Sequence, residues 1–391
     1  MVKKNNYFGT LIGMPFVSSI DTTGFRTDKE KCALLVKGFL IPTGYKAYIF
    51  DDTYPVEYVS HFASKYSRAS ILHGVTLANN LVDYDIVCVS ENGVMEYLYR
   101  NDSLDNVLFT TNACNSNCIM CPDSMKHRMR HLNINQEYLL NLIDLIPNDT
   151  NYLTITGGEP TLLKWNLLEL LQKCREKFEH TSFLMLSNGR SFCVKDYRVQ
   201  FIRVLPFHFR LAIPLYGSTA KLHDSITQVC GSFAQTSAGM RALQNELELE
   251  IRIVIMKVNY QHLPDIARYI IETFPKTCTV SFMGMELLGN AAINQDMLWI
   301  NFPDTAPFIE EAAILLIHAG IDAKIYNYPL CSLPEHLWSL AAKSISDYKV
   351  RYQPQCESCE VKPYCGGFFF STITCNDIRT NPIIGGNLSC H

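Results

Sequence analysis

The sequence lacks several features, and each absence narrows the kind of protein it encodes. No stretch has 18 or more continuous apolar residues, so we expect no transmembrane helix and no membrane partner. Charged residues make up 18% of the chain and the net charge is −4, which argues against a general nucleic-acid binder, because such proteins are normally basic. Internal repeats and low-complexity segments are also missing. The 391 residues, 48% of them hydrophobic, predict a soluble globular protein of two or three domains.

Cysteine is abundant, with 15 residues, but its pattern excludes a secreted disulfide scaffold. Such scaffolds are short and usually have an even number of cysteines, whereas this chain is long and its cysteines are unevenly spaced. Clustered Cys-x2-Cys pairs in a long chain indicate metal binding in a reducing compartment, so we expect a cytoplasmic protein. The first 18 residues are interrupted by Gly9, Gly13 and Pro15, which predicts a strand or loop and not a signal peptide.

Residues 1–105 are dominated by short β-like runs without helix–strand alternation, which predicts a small, mostly β N-terminal domain. Two of these runs, 85–89 and 94–99, flank Asn92-Gly93, a dipeptide typical of a tight hairpin.

From about residue 106 the pattern changes to alternating strands and helices. The predicted strands are 106–111, 152–156, 182–186, 209–215, 250–258 and 279–286, and the predicted helices are 135–146, 163–178, 232–247 and 263–274. This order predicts an α/β fold with a parallel sheet, a partial (β/α)6 barrel whose active residues lie after the carboxyl ends of the strands. A helix at 305–319, a strand at 323–328 and a cysteine-rich tail follow. We therefore predict domains at 1–105, 106–300 and 301–391.

Three cysteines, Cys114, Cys118 and Cys121, have Cys-x3-Cys-x2-Cys spacing directly after an apolar, strand-like run. They supply three thiolates, one too few to saturate a cubane iron–sulfur cluster, so one iron would stay open for a small molecule. A structural zinc site needs a fourth ligand nearby, and a bacterial ferredoxin run has different spacing, so neither pattern fits well. Taken alone, the triplet still leaves zinc and coincidence open.

A second motif, Gly157-Gly158-Glu159-Pro160, falls at the end of the next predicted strand. Two glycines at a strand end allow the backbone to approach a ligand closely, and the proline ends the strand and begins the following helix. Alone, the motif is explained equally well by an ordinary turn. Its position one strand–helix unit after the cysteine triplet favours a shared site.

Together the two motifs resemble the radical S-adenosylmethionine (SAM) superfamily, over residues 106–290. The triplet matches the family's cluster motif, and Gly157 to Pro160 match its GGEP turn, which receives the amine of the SAM methionine. Further segments resemble the ends of the family's third and fourth strands and the loop and helix that follow: 186–189, 216–217, 223–224 and 231–233. Several motifs in the family order make the resemblance specific, and it implies a radical SAM partial barrel.

The resemblance implies two cofactors, a [4Fe–4S] cluster and SAM. The reduced cluster would pass one electron to SAM, and the resulting 5′-deoxyadenosyl radical would abstract hydrogen from an unactivated C–H bond of the substrate. The barrel would have to exclude water and hold that hydrogen within reach of the radical. The sequence offers no general acid or base for this chemistry.

Candidate SAM contacts implied by the resemblance lie in the cysteine loop, in the GGEP turn and at strand ends. They are Met120, Gly157, Gly158, Glu159, Pro160, Ser187, Asn188, Arg252 and Asn259. For the last four, ordinary hydrogen bonding at a strand end is an equal explanation. Two positions depart from the family pattern: Met120 replaces a usually aromatic residue beside the adenine, and Pro214 replaces a serine near the end of the fourth strand.

The tail carries a third group of cysteines, Cys331, Cys356, Cys359 and Cys365. Four thiolates fully ligate one cluster or one zinc ion. After a radical SAM core, the Cys-x2-Cys-x5-Cys element resembles the auxiliary-cluster domains called SPASM and twitch. The SPASM pattern has another cysteine where Phe369 stands, so the resemblance implies one auxiliary [4Fe–4S] cluster, with zinc as the alternative.

Some features leave two explanations open. Cys375 and Cys390 are either spare ligands or free thiols, and the basic run 126–131 is either a solvated helix entrance or a contact for an acidic peptide or an electron-donor protein. The other six cysteines lie among apolar residues and are predicted to be buried: Cys32, Cys88, Cys174, Cys193, Cys230 and Cys278.

Auxiliary-cluster enzymes of this type mostly modify peptides and proteins. Segments 326–338, 343–348 and 365–369 resemble the His-Xaa-Ser system radical SAM maturases, whose substrate is a small partner protein with His-Xaa-Ser repeats and which act beside a second radical SAM maturase. The resemblance implies a peptide maturase, and we expect a flavodoxin or ferredoxin-like electron donor. The modification itself is not readable from the sequence, and a crosslink involving a side-chain carbon is our hypothesis. The alternatives are a radical SAM enzyme acting on a small molecule in cofactor or nucleotide synthesis and a non-enzymatic iron–sulfur electron carrier.

Overall fold

The structure is a computed structural model that describes residues 7–76, 80–123, 134–344, 349–373 and 378–385. The chain divides into two compact units. The first comprises residues 1–108, 135–154 and 173–181, and the second comprises the remaining residues. Within the described ranges, no helix is long and apolar enough to cross a membrane.

The first unit contains an eight-stranded sheet in the spatial order β1–β8–β7–β3–β4–β5–β6–β2. Its strands are Tyr7–Phe8 (β1), Thr10–Ile12 (β2), Phe16–Asp21 (β3), Cys32–Leu35 (β4), Ala47–Asp51 (β5), Ser70–Val75 (β6), Ile86–Val89 (β7) and Val94–Tyr99 (β8). The two strands at the ends of this order, β1 and β2, are separated in the chain only by Gly9. They pair with β8 and β6 respectively, so one interrupted strand closes the sheet into a barrel without free edges.

Alternation along the strands gives this barrel two apolar faces. On β4, Ala33 and Leu35 pack in one hydrophobic cluster, while Leu34 packs in another that includes Phe62 of the helix Val56–Lys65 (α1). The predicted β-rich unit and the hairpin at Asn92-Gly93 are confirmed, since β7 and β8 pair antiparallel. The sequence pattern predicted neither α1 nor the parallel pairing of β3, β4, β5 and β6. The helix α1 was missed because its tyrosine, valine and phenylalanine are typical of strands, and tertiary packing overrides that preference.

The second sheet also has eight strands, and their spatial order follows the sequence from β9 to β16. They are Val107–Phe109 (β9), Tyr152–Thr156 (β10), Ser182–Leu186 (β11), His208–Pro214 (β12), Glu248–Val254 (β13), Thr279–Met283 (β14), Asp322–Tyr326 (β15) and Ala341–Ala342 (β16). Neighbours from β11 to β16 pair in parallel. The predicted α/β partial barrel is confirmed.

Helices alternate with these strands along the chain. They are Gln136–Leu145 (α2), Trp165–Lys177 (α3), Lys195–Arg203 (α4), Ala220–Thr227 (α5), Ser232–Leu243 (α6), Leu263–Thr273 (α7), Gly289–Ile293 (α8), Gln295–Leu298 (α9) and Phe302–His318 (α10). The sequence pattern did not predict α4, α5, α8 or α9. In the tail, Val350–Arg351 (β17) pairs antiparallel with Phe368–Phe369 (β18).

The strands β13 and β14 have one apolar and one polar face. Ile213, Ile251 and Val280, which pair across β12, β13 and β14, are fully buried, as a core-facing row requires. The alternating positions on β13 and β14 are polar: Arg252 Nε donates to Glu250 Oε1 at 2.7 Å, and Ser281 Oγ donates to the same oxygen at 2.9 Å. Polar side chains of these two strands therefore contact one another on one face of the sheet.

Candidate functional site

The loop after β9 carries Cys114, Cys118 and Cys121, and the charges of all three thiolates act on the side chain of Tyr216. Tyr216 is buried, with 7% of its surface exposed. Burial, and after it the three thiolates, raises the pKa of Tyr216 well above its ordinary value. The three predicted ligands thus share one loop near Tyr216, but within the described residues no three such side chains converge closely enough to hold a single metal ion.

Backbone hydrogen bonds hold this cysteine loop against the end of α5. The Asn117 N–H donates to the Thr227 carbonyl at 3.0 Å, and the Ile119 N–H donates to the Ile226 carbonyl at 2.9 Å. These two bonds fasten the part of the loop that lies between the first and third cysteines to the last two residues of α5.

Asn290, at the start of α8, supports the loop from the other side. Its Nδ2 donates to the Cys118 carbonyl at 2.9 Å, and its backbone N–H donates to the Cys121 carbonyl at 2.9 Å. A Cβ atom at the preceding Gly289 would lie 2.5 Å from the Pro122 oxygen, so only glycine permits this approach. Asn290 was not predicted from the sequence, because no local pattern indicates a side chain that binds a loop some 170 residues away.

The GGEP turn touches the cysteine loop directly. The Gly158 N–H donates to the Thr111 carbonyl at 2.6 Å, and the Glu159 N–H donates to the Ala113 carbonyl at 2.8 Å. A Cβ atom would lie 2.4 Å from the Thr111 oxygen at Gly157 and 2.3 Å from the Ala113 oxygen at Gly158. Both glycines are required because two loops approach each other here, and this cradle fits a shared cofactor site.

The Glu159 side chain is buried and saturated with hydrogen bonds. Its carboxylate accepts from the Thr161 N–H at 3.0 Å, the Thr161 hydroxyl at 2.6 Å, the Ser187 hydroxyl at 2.8 Å and the Asn188 N–H at 2.6 Å. Desolvation raises the pKa of this carboxyl, and the four donors oppose that rise. Glu159 thus ties the GGEP turn to the end of β11.

The end of β11 reaches the cysteine loop through two side chains. Asn188 Nδ2 donates to Asn115 Oδ1 at 2.7 Å, and Arg190 Nη1 donates to the Asn115 carbonyl at 2.5 Å. Arg190 also donates to Gln235 on α6 at 2.7 Å. Arg190 was not selected from the sequence, where its only signal is a cation just after a strand end.

The remaining predicted SAM contacts are spread over the same region. Met120 and Pro160 are buried, and Arg252 forms the ion pair with Glu250 described above. Asn259 is fully buried: its Oδ1 accepts from the Met256 N–H at 2.8 Å. Its Nδ2 donates to the Val254 carbonyl at 3.1 Å and to the Tyr216 carbonyl at 3.4 Å. Asn259 therefore positions the segment that carries Tyr216.

The segments 216–217, 223–224 and 231–233 also meet. The rings of His223 and Tyr216 stack with centroids 5.6 Å apart, and His223 Nδ1 accepts from the Tyr216 N–H at 3.3 Å. Burial lowers the pKa of His223 to about 4, so the imidazole is neutral near pH 7 and acts as an acceptor. Asp224 accepts from the Gly231 N–H at 2.7 Å and the Phe233 N–H at 2.7 Å, which holds the start of α6.

The four tail cysteines line one common cavity: Cys331, Cys356, Cys359 and Cys365. Burial raises the pKa of Cys331, Cys356 and Cys365, and nearby backbone N–H groups oppose this rise. Among the residues that the structure describes, no three His, Cys, Asp or Glu side chains converge in the manner of a single-ion site. The tail thiols surround a space instead of meeting at a point.

Backbone N–H groups donate to two of the tail thiols. Cys365 Sγ accepts from Leu330 and Gly367, each at 3.4 Å, and Cys359 Sγ accepts from Ile383 at 3.4 Å. The backbone N–H groups of Asn381 and Gln353 oppose the rise in pKa that burial causes at Cys331 and Cys356. Hydrogen bonds to sulfur are typical of protein-bound iron–sulfur clusters, so the donor set fits such a group.

Other cysteines have mixed outcomes. Cys375, Cys390 and the basic run 126–131 lie outside the described residues. Of the cysteines predicted to be buried, Cys32 and Cys174 are buried, but that prediction is wrong for Cys193 and Cys230, which are exposed. None of the cysteines that the structure describes forms a disulfide.

Residues 108–270 match the family described as the Radical SAM superfamily. The matched region includes the cysteine loop, the GGEP turn and the strands that carry them. The chain therefore contains a radical SAM superfamily domain within an α/β fold with a parallel sheet, and a mostly β region precedes it. No curated protein matches the sequence.

Several solved structures are similar to this chain. Streptococcus suis SuiB bound to precursor peptide SuiA is 14% identical, with a TM-score of 0.43, over 57% of this chain and 48% of that chain. Native anSMEcpe with bound AdoMet is 18% identical, with a TM-score of 0.44, over 56% of this chain and 63% of that chain. A radical SAM methyltransferase from Sphaerobacter thermophilus is 13% identical, with a TM-score of 0.43, over 68% and 74%. The chain spans about half the length of the SuiB structures that it matches.

Proposed function

We propose that this protein is a radical SAM enzyme that cleaves SAM reductively and modifies a ribosomally made peptide or protein by abstracting hydrogen from a C–H bond. A [4Fe–4S] cluster and SAM, when bound, supply the electron and the radical chemistry. The observation that carries the proposal is the close approach of the GGEP turn to the loop of Cys114, Cys118 and Cys121, where the Gly158 and Glu159 N–H groups donate to carbonyls just before Cys114 at 2.6 and 2.8 Å.

The chain's own residues have separable roles in this proposal. The three thiols hold the cluster, and because they number three, one coordination site stays open for SAM. Gly157, Gly158 and Pro160 bring the backbone of the turn beside that loop, where it would receive the methionine amine. Met120 and Arg252 stay proposed SAM contacts.

Four other predicted SAM contacts have protein partners that favour a supporting role. The Ser187 hydroxyl and the Asn188 N–H donate to the Glu159 carboxylate, and Asn259 binds the backbone around Tyr216. We propose that Glu159, Ser187, Asn188 and Asn259 position the turn, the loop and Tyr216, and that they act on SAM mainly through those elements.

We further propose one auxiliary [4Fe–4S] cluster held by Cys331, Cys356, Cys359 and Cys365. Their arrangement around a shared cavity, with backbone donors to Cys359 and Cys365, supports a cluster over zinc, whose four ligands meet at one ion about 2.3 Å from each sulfur. With four protein thiolates such a cluster has no open iron, so we assign it electron transfer from the substrate radical and not substrate binding.

The peptide substrate is proposed from the tail's resemblance to the His-Xaa-Ser maturases. Part of the resembling segment also supports the proposed auxiliary site. Trp338 Nε1 donates to the Leu330 carbonyl at 3.1 Å and the Leu333 carbonyl at 3.2 Å, which holds the turn that carries Cys331. The same resemblance proposes a His-Xaa-Ser repeat partner, a second radical SAM maturase and a flavodoxin or ferredoxin-like donor. We also propose three domains, at residues 1–105, 106–300 and 301–391, and a reducing, cytoplasmic location.

The deciding experiment is anaerobic reconstitution with iron and sulfide, followed by reduction, addition of SAM and quantification of 5′-deoxyadenosine. Formation of 5′-deoxyadenosine supports the enzyme. If a protein with a verified cluster forms no 5′-deoxyadenosine, the enzyme is rejected and the non-enzymatic electron carrier becomes the better explanation. About eight irons per chain supports two cubane clusters, and about four irons with one zinc rejects the auxiliary cluster. A mass change in a co-purifying or co-expressed peptide separates a peptide maturase from a small-molecule enzyme.

A further inference from the structure

Residues 378–385, which we call the strap, cross the cavity of the four tail cysteines without contributing a thiol. Asn381 and Pro382 line the cavity beside those cysteines. Ile383 packs on a small hydrophobic cluster that contains Leu330 and Val361. The strap therefore forms one wall of the proposed auxiliary site.

The strap also donates a hydrogen bond to sulfur. The Ile383 N–H donates to Cys359 Sγ at 3.4 Å. Asn381 lines the cavity together with Cys331. The strap thus supplies a backbone donor to one thiol and shares the cavity wall with a second.

Several polar contacts fasten the strap to the elements around the cavity. They are the Arg379 N–H to Asn301 Oδ1 at 3.2 Å, the Arg379–Asp304 ion pair, the Thr380 hydroxyl to Gln353 Oε1 at 2.6 Å, the Glu360 N–H to the Ile383 carbonyl at 3.0 Å and the Gly385 N–H to Glu360 Oε1 at 2.9 Å. These contacts fix the direction of the Ile383 N–H group that points at sulfur. Fixed donors act on charge without the reorganisation that water would need.

We propose that the strap tunes the auxiliary cluster: the Ile383 N–H group raises the cluster's reduction potential, and the cover that the strap provides slows the loss of iron. The inference rests on the proposed auxiliary cluster. The physical reason is electrostatic, because the partial positive charge of an N–H group beside a thiolate favours the more reduced and more negative state of a cluster.

The test removes one N–H group and leaves every side chain in place. Cys375 provides a native ligation junction, so a thioester of residues 1–374 can be joined to a synthetic peptide of residues 375–391 in which an ester replaces the Ile383 amide. The matched control carries the ester at Gly385, whose N–H donates to a carboxylate and not to sulfur. An all-amide ligated chain is the reference, and circular dichroism verifies that all three fold alike.

Potentiometric titration followed by electron paramagnetic resonance reads out each reconstituted chain. We expect the Ile383 ester to shift the potential of the auxiliary cluster to a more negative value, while the Gly385 ester and the all-amide chain agree with each other. Equal potentials in the Ile383 ester and the reference overturn the tuning role. A reference chain that holds only one cluster overturns the auxiliary cluster itself, which is a separate result from an unchanged potential.

A second measurement tests the cover. A chain that ends at Asp377 lacks the strap but keeps Cys375, and a chain that ends at Gly385 keeps both. In air, we expect the chain ending at Asp377 to lose the iron of its second cluster several times faster. Equal rates of iron loss in the two chains overturn the covering role.

Discussion

Asn290 Nδ2 donates to the carbonyl oxygen of Cys118 at 2.9 Å, which joins the start of α8 to the middle of the cysteine loop. The same Nδ2 donates to Asn117 Oδ1 at 3.1 Å, and the Asn290 backbone N–H donates to the Cys121 carbonyl. One residue far along the chain thus holds the second and third proposed ligands in place.

Replacing Asn290 with alanine removes both side-chain bonds to the loop. We expect a loss of about 1–3 kcal/mol in the free energy that keeps the loop in place, and therefore lower iron retention at the first cluster. Iron counting after gel filtration of the reconstituted protein is the measurement. Ile293→Ala on the same helix is the control, because Ile293 is 77% exposed. Equal iron retention in N290A and I293A would contradict the role of Asn290.

Replacing Gly158 with alanine forces the GGEP turn away from the cysteine loop, since the new Cβ would lie 2.3 Å from the Ala113 oxygen and 2.6 Å from the Asn112 oxygen. Such overpacking typically costs about 1–3 kcal/mol, and here it also separates two parts of the proposed cofactor site. We expect SAM affinity, measured by equilibrium dialysis, to fall at least tenfold. Gly320→Ala is the control: its Cβ meets no atom within 4 Å, so it carries only the cost of a φ of +77°. A SAM affinity unchanged in G158A would show that the close approach is dispensable.

His223 predicts a pH dependence of stability. Its folded-state pKa of about 4 lies below the ordinary 6.5, so as pH falls the unfolded chain takes up the proton first. The contribution is complete above pH 6.5, is lost as pH falls toward 4, and amounts to about 3 kcal/mol. Urea unfolding of the reduced apoprotein at several pH values measures it. In His223→Asn this part of the pH dependence should disappear, and the same slope in both proteins would refute the assignment.

The two cysteine groups should separate by iron content and by reaction step. Cys114→Ala, Cys118→Ala and Cys121→Ala should each abolish formation of 5′-deoxyadenosine, because two thiolates cannot hold the cluster with its open iron in place. Cys356→Ala should retain the first cluster and impair substrate modification more than SAM cleavage. Cys193→Ala is the control, since Cys193 is exposed and distant from both groups in the sequence. Complete loss of SAM cleavage in folded C356A protein would show that the two sites are not separate in function.

Local sequence patterns predicted most strands of the second sheet. The strands at 152–156 and 182–186 end where they were expected, because apolar runs bounded by turn residues leave little freedom in register. The helices α4 and α5 were missed: they are short and rich in polar residues, so their periodicity is weak, and their place is set by packing.

The candidate site was predictable only in part. The spacing of Cys114, Cys118 and Cys121 and the glycines at 157 and 158 are local, and they were enough to select the loop and the turn. The partners of Glu159, the contact between Arg190 and Asn115 and the donors to the tail thiols were not predictable, because each joins residues distant in the sequence.

By itself, the sequence determined the order of strands and helices and the number of thiols at each site, since both follow from neighbours along the chain. Only the tertiary structure decided that β1 and β2 close a barrel across Gly9, that Glu159 faces Ser187 and Asn188, and that the strap faces Cys331 and Cys359. The physical reason is that a buried polar group takes whichever partner packing brings within about 3 Å, and sequence spacing does not encode that distance.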